Sequence, residues 1–221
     1  MASDKKRPTG TAVDWRERRN AITAGALPLF IERPWSSMGV DEIAAHIGIS
    51  YWQVYYSFDG LEDIYRACVS RLVDTIADRI DNPPAPHSSV NRTVQDYVRH
   101  AADIVASEEY RHLLFLRLRD GHSEHWLKTA YDGKVAEPLR TGLEAAVAEA
   151  GERHDLKIVL LHGARERCLM MLETALALPK LLHDGDIVDD GFDRTVTTIS
   201  KEVFAATCTF DGFDQTESAA A

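Results

Sequence analysis

The stretch Val40-Asp-Glu-Ile-Ala-Ala-His-Ile-Gly-Ile-Ser-Tyr-Trp-Gln-Val-Tyr-Tyr-Ser-Phe58 reads as two short helices joined by a tight turn. Ile43, Ala44 and Ile47 recur at helical spacing and give the first helix one apolar face. Gly48 can take the positive φ that ends a helix without a Cβ clash. Ile49 plugs the turn. Ser50 is placed to cap the second helix by accepting a bond from its free amides. Val54 and Phe58 stand four residues apart and share the inward face of that helix. Ala44 is small enough for the helices to cross closely. The layout is that of a helix-turn-helix, whose second helix can lie in the major groove of DNA.

Working outward, Ile22-Thr-Ala-Gly-Ala-Leu-Pro-Leu-Phe30 is an apolar-periodic helix that ends near Arg33-Pro34, and Phe58-Asp-Gly-Leu-Glu-Asp-Ile64 opens another. The run from Arg18 to Val69 resembles the N-terminal domain of the TetR family of transcriptional regulators. The likeness is carried by Ala26, Leu27, Phe30, Val40, Ile43, Ala44, Gly48, Ile49, Ser50, Val54, Tyr55, Phe58, Glu62 and Ile64. Tyr55 and Phe58 supply the family's Tyr-x-x-Phe pattern. Beyond this region the chain is similar to the family only in length and helical texture. The resemblance implies an all-α fold: a three-helix DNA-binding domain followed by a helical bundle for ligand binding and dimerisation.

The chain has 221 residues, 45% of them hydrophobic and 27% charged, which suits a small and a medium globular domain. No apolar run approaches the roughly 20 residues that span a bilayer. The N-terminus is polar and basic and is no secretory signal. Cys68, Cys168 and Cys208 are far apart and odd in number, which favours free thiols in a reducing compartment. A cytoplasmic location and no membrane association are expected.

The formal net charge of −10 is awkward for a DNA-binding protein. Residues 1–20 run the other way: Lys5, Lys6, Arg7, Arg16, Arg18 and Arg19 stand against Asp4, Asp14 and Glu17, an excess of three positive charges. That segment reads either as a basic arm that tracks phosphates or as an ordinary polar tail.

Helical texture is expected over 14–33, 40–47, 51–57, 61–80, 89–106, 108–120, 123–150, 155–178 and 190–209. In the fourth of these, Ile64, Cys68, Leu72, Ile76 and Ile80 repeat at four-residue spacing. Asn82-Pro-Pro-Ala-Pro-His-Ser-Ser89 cannot continue a helix and is the expected linker. The domain reading is therefore a disordered arm over 1–12, a DNA-binding domain with connecting helix over 13–80, a ligand-binding and dimerisation bundle over 88–210, and a flexible tail over 211–221. The resemblance implies that the last two long helices pair with a second subunit. Leu156, Val159, Leu160, Leu169 and Leu172, with Val196, Ile199, Val203 and Phe204, offer the apolar surface for it, unless all of it is internal core.

The expected DNA-facing residues are Ser37 and Gly39 before the first motif helix, where amides would meet a phosphate, then Ser50, Tyr51, Trp52, Gln53, Tyr55 and Tyr56, with Ser57 following. Gln53 has the groups for a bidentate adenine contact, and the tyrosines for phosphate contacts. Arg16, Arg18 and Arg19 would assist. Departures from the family pattern are Pro34 for glycine, Met38 for threonine, Leu61 for lysine, and Tyr51-Trp52 for lysine-glycine. From Arg16 to Tyr65, four arginines stand against seven carboxylates, a net of three negative charges. Trp52 is suited to thymine methyls, or else it blocks the groove.

A mainly apolar effector pocket is expected in the second domain, from Tyr97, His100 and Ile104, then Phe115 and Leu118, then Trp126, Tyr131, Cys168 and Met171, each of which is otherwise ordinary core. His122 and His125, with His112 near in sequence, lack the spacing of zinc hydrolases and read as solvated; no metal or cofactor is expected. No nucleophile elbow, phosphate loop or dinucleotide fingerprint is present, so the chain does not read as an enzyme. The leading expectation is a homodimeric repressor that a small-molecule effector releases from a double-stranded DNA operator. The alternative is a dimer of the same fold with weakened DNA recognition, serving as a small-molecule or protein interaction module.

Overall fold

The computed structural model describes residues 12–153, 155–182 and 191–210, without the side chains of residues 12–14 and 208–210. The expected N-terminal arm (but for its last residue), the C-terminal tail and the side chain of Cys208 lie outside the described residues. The chain divides into two compact units, one reaching to Arg71 and the other starting at Leu72. The division falls inside a helix; the proline-rich segment comes later, within the second unit.

In the first unit, α1 (Ala12–Glu32) runs through Pro28. A 3₁₀ turn, Trp35–Ser37, leads to α2 (Val40–Ile47), α3 (Tyr51–Tyr55) and α4 (Leu61–Ile80), which continues into the second unit. Ile22, Ala26, Phe30, Ile43, Val54, Ile64 and Val69 are all but inaccessible. Tyr65 is wholly buried, edge-on to Phe30 at 5.2 Å and stacked with Trp35 at 5.9 Å. Burying one such side chain contributes about 2 kcal/mol. Met38 is buried too, so the position where family members carry threonine here fills the core. The close helix crossing depends on a residue that periodicity does not single out. Gly25 on α1 faces Ile47 on α2, and a Cβ there would come within 2.7 Å of Ile47 Cγ1.

The second unit is a helical bundle. It comprises the rest of α4, α5 (Val90–Val105), α6 (Glu108–Asp120), α7 (His125–Tyr131), α8 (Glu137–Glu152), α9 (Ala164–Leu172), α10 (Leu178–Leu182) and α11 (Phe192–Ala205). Helix α5 packs on α8 and α11, and α9 bridges α8 and α11. The four-residue repeat of α4 holds, with Ile64, Cys68, Leu72, Ile76 and Ile80 all buried. The proline-rich segment is fastened locally: His87 N donates to Thr93 Oγ1 at 2.9 Å and Arg153 Nη1 to the Pro86 carbonyl at 2.9 Å.

The fold departs from the expected elements at three places. Two helices contain a π turn, at Asp132–Ala136 between α7 and α8 and at Glu173–Ala177 between α9 and α10. Residues 157–160, expected to be helical, form β1 (Lys157–Leu160), which pairs antiparallel with β2 (Thr207–Phe210) in the register Lys157↔Phe210. Ile158, Val159, Thr207 and Thr209 are β-branched, and branching at Cβ favours the pleated chain over the helix. Ile158 turns inward onto Gly151 of α8, where a Cβ would meet Ile158 Cγ1 at 2.8 Å. Gly163, at φ 76°, then turns the chain into α9.

Candidate nucleic-acid interface

The turn between α2 and α3 is built as its residues dictate. Gly48 has φ 78°, and its amide and that of Ile49 both donate to the Ala44 carbonyl at 3.0 Å. Ser50 Oγ caps α3 by accepting from Gln53 N at 3.3 Å, and Gln53 Oε1 accepts from Ser50 N at 2.9 Å and from Ser50 Oγ at 3.0 Å. This reciprocal capping box satisfies amides that a helix start leaves bare. It also gives Gln53 a second role beside the base contact expected of it. A bidentate adenine contact needs the side-chain oxygen as acceptor, and that oxygen is engaged within the protein.

Val54 and Phe58 point into the unit, as expected, being 0% and 3% exposed. Ser57 does not face outward: it is buried, donates to the Gln53 carbonyl at 2.9 Å, and accepts from Arg19 Nη1 through its own carbonyl. The outward face is aromatic. Tyr51, Trp52, Tyr55 and Tyr56 are 45%, 62%, 56% and 75% exposed. Their rings touch one another: Tyr51 stacks on Tyr55 at 6.1 Å, and Trp52 meets Tyr51 edge-on at 5.8 Å and Tyr55 at 6.1 Å. Such edge-to-face and offset pairs hold each other in place.

The charges near this face are largely committed. The Arg19 guanidinium lies 3.9 Å over the Phe58 ring and 3.6 Å from Asp63. It staples α1 to the end of the motif, so the guanidinium expected to assist at a phosphate already has partners within the protein. Arg16 is exposed. At the start of α2, Gly39 N donates to Glu42 Oε1 at 3.2 Å, and Glu42 is paired with Arg33. The hydrogen bond from Arg33, with that from Gly39, holds the Glu42 carboxyl below the usual carboxylate range. The Gly39 amide expected to meet a phosphate therefore already meets a carboxylate. Ser37 Oγ donates to the Pro34 carbonyl at 2.7 Å.

Residues 22–68 match the family described as bacterial regulatory proteins, tetR family. The first unit is a TetR-family helix-turn-helix domain.

Solved structures of TetR-family regulators share the fold across most of the chain. One from Mesorhizobium loti is 17% identical, with a TM-score of 0.65 over 90% of this chain and 99% of that one. One from Streptomyces coelicolor is 21% identical, with a TM-score of 0.59 over 85% and 96%. The flavonoid-responsive regulator FrrA is 17% identical, with a TM-score of 0.60 over 87% and 97%. No curated protein matches the chain by sequence.

In the second unit, the residues expected to form one effector pocket are dispersed. Tyr97, Ile104, Tyr131 and Cys168 are buried in the core. Tyr97 Oη donates to the Leu139 carbonyl at 2.9 Å, and burial raises both its pKa and that of Cys168, the latter to about 12. Phe115 lies under the Arg119 guanidinium at 5.2 Å, and Trp126 Nε1 donates to Glu124 at 2.6 Å. Three hollows take one member of the set each. His100 lines one of about 410 Å³ with Asn82, Pro84, Asp96, Arg99 and Asp103. Leu118, 54% exposed, lines one of about 250 Å³ at the end of α6. Met171 lines an apolar groove of about 440 Å³ with Met170, Thr174, Thr198 and Ile199. Of the surface expected for dimerisation, Leu169, Leu172, Val196, Ile199 and Val203 are internal core, while Val159 and Phe204 are exposed.

Two residues that the sequence did not mark stand out. Tyr110 is fully buried, and its Oη lies 2.7 Å from Tyr131 Oη and donates to Glu173 Oε1 at 2.8 Å. Tyr131 donates to the same oxygen. Among the described residues no group of three or more His, Cys, Asp and Glu side chains is placed to hold a metal, and no helix is long and apolar enough to cross a membrane.

Proposed function

We propose that this chain is a ligand-responsive transcriptional regulator, a homodimeric repressor that a small, mainly apolar effector releases from a near-palindromic operator in the cytoplasm. One observation carries the reading: the α2–α3 turn is intact from Gly48 to Gln53, and four side chains of α3 stand exposed beyond it. A single five-residue helix spans too few base pairs for selectivity, so two copies on a two-fold site are needed. The groove between α9 and α11, lined by Met170 and Met171, together with the exposed Phe204 on α11, supplies apolar area for the second copy. An effector acts by its differential affinity for the DNA-bound and free arrangements. Response to a flavonoid, carried in the name of one structural neighbour, is compatible with such a role.

Base reading in this proposal is apolar. With the Gln53 oxygen held in the capping box, Trp52 and the tyrosines read thymine methyl groups by contact, and the exposed phenols donate to phosphates.

The second reading, a dimer of the same fold with weakened DNA recognition, is favoured by Glu42. A carboxylate on the amide that would meet a phosphate repels the backbone it should bind. Selection of bound fragments from sheared genomic DNA at near-physiological salt decides between the two. Enrichment of a short near-palindrome establishes the regulator. Failure to enrich any sequence, from a folded dimer, favours the second reading.

A further inference from the structure

Helix α6 ends with two of its last four carbonyls, those of Arg117 and Asp120, already bonded. Gly121 N donates to the Arg117 carbonyl at 3.0 Å, and Ser123 N and Glu124 N both donate to that of Asp120, at 3.1 and 2.9 Å. Ser123 Oγ adds a further bond to Asp120 O at 3.0 Å. Cations near a helix C-terminus ordinarily answer bare carbonyls. Here backbone amides and the Ser123 hydroxyl answer two of them, and Arg117, His122 and Lys128 surround the hollow of about 250 Å³ there, with Leu118 and Gly121.

The carboxylates nearby neutralise the group only in part. Asp120 is held by Arg119 at 2.7 Å, and Glu124 by the Trp126 indole. Asp132 lies 3.7 Å from Arg117. Lys128 is exposed and has no ion-pair partner among the described residues. Arg117 Nε is buried and has no hydrogen-bond acceptor. A buried N–H without an acceptor is uncommon in folded proteins and asks for an explanation. An unmatched donor, two permanent cations against one carboxylate, and a cavity of about eight water volumes have one need in common, which is an acceptor that carries negative charge.

We propose that this hollow binds a small anion bearing a carboxylate or phosphate group, with Arg117 and Lys128 as its charged contacts and His122 at its rim. The site is wired inward. The Arg117 guanidinium lies 4.4 Å over the Tyr131 ring, and Tyr131 donates to Glu173. Tyr131 immediately precedes one π turn and Glu173 opens the other. Single-turn π segments are frequent where helices adapt to function. An anion that draws Arg117 toward itself shifts the ring beneath it, and through Glu173 the two irregular turns. Binding here does not depend on DNA recognition, so the test stands whether or not an operator exists.

The test is calorimetric titration of the full chain with sodium phosphate and, separately, with sodium butyrate, each against sodium chloride at matched ionic strength. Saturable binding of either anion is expected, weakened at least tenfold in Arg117→Gln and in Lys128→Gln and unchanged in Lys157→Gln, an exposed lysine on β1. Phosphate and butyrate arms then tell which acid group the site takes. Because Lys128 is exposed, its variant keeps the test valid if Arg117→Gln fails to fold. Heats no different from chloride for both anions, or binding that Lys128→Gln leaves unchanged, would overturn the proposal.

Discussion

Gln53 returns its side-chain oxygen to the backbone amide of Ser50, 2.9 Å away, and so the α3 side chain expected to read a base also starts the helix. Gln53→Ala should therefore lose about 1 kcal/mol of stability, the usual worth of a cap, while the preferred DNA sequence stays the same. Urea denaturation and repeated site selection check the two halves. A changed base preference at one position would mean that the capping box opens on DNA.

If Trp52 and its neighbours read thymine methyls, deoxyuridine should be a poor substitute in the operator. Each contacted methyl contributes about 0.8 kcal/mol, close to fourfold in affinity. Gel-shift titration of a thymine-by-thymine series is expected to find one or more such positions, and Trp52→Ala should abolish the difference there.

Glu42→Gln should raise DNA affinity and steepen its salt dependence, because it removes a negative charge beside the Gly39 amide. The sign of the pH effect follows from the lowered pKa. Glu42 supports the fold fully above its ordinary value of 4.5, and that support is lost as pH falls through the lower folded value. Between pH 6 and 8 its charge is constant, so fluorescence anisotropy in that window should show no pH step from this residue in the native chain.

Gly25→Ala should destabilise the first unit by about 1–3 kcal/mol, since overpacking forces backbone apart. Thermal melting of the variant, alone and with Ile47→Ala, provides the check. Recovery in the double variant is expected, because Ile47 Cγ1 is the atom that the new methyl meets.

Burial raises the thiols of Cys68 and Cys168 to about 12, and the thiolate is the reactive form. In the native protein both should resist an aromatic disulfide reagent at pH 8 and react on unfolding. Mass spectrometry of labelled peptides separates them from Cys208.

The helix-turn-helix was legible because its rules are local: a glycine at positive φ, a capping serine and an apolar spacing lie within nineteen residues of one another, from Val40 to Phe58. What Gln53, Arg19 and Glu42 do was not legible, because each has two competing partners and only the packed chain decides between them. Arg19 looks like a phosphate contact until Phe58 is found beneath it. The second unit was readable as helices but not as sites. Tyr110, Tyr131 and Glu173 are brought together from three helices, and no spacing announces that. The strands were missed for a different reason, since segments of four residues are too short to carry a distinguishing period.

The pairing of β1 with β2 has a kinetic consequence. β1 precedes α9 and β2 follows α11, so closing the ladder brings together chain positions about fifty residues apart, and we expect it to follow the packing of the two helices. Bringing such distant chain positions together has an entropic cost that grows with the loop between them, and contacts of this kind form late. Strand β2 thus acts as a clasp on β1, expected to fasten after α9 and α11 have packed and to release before they part.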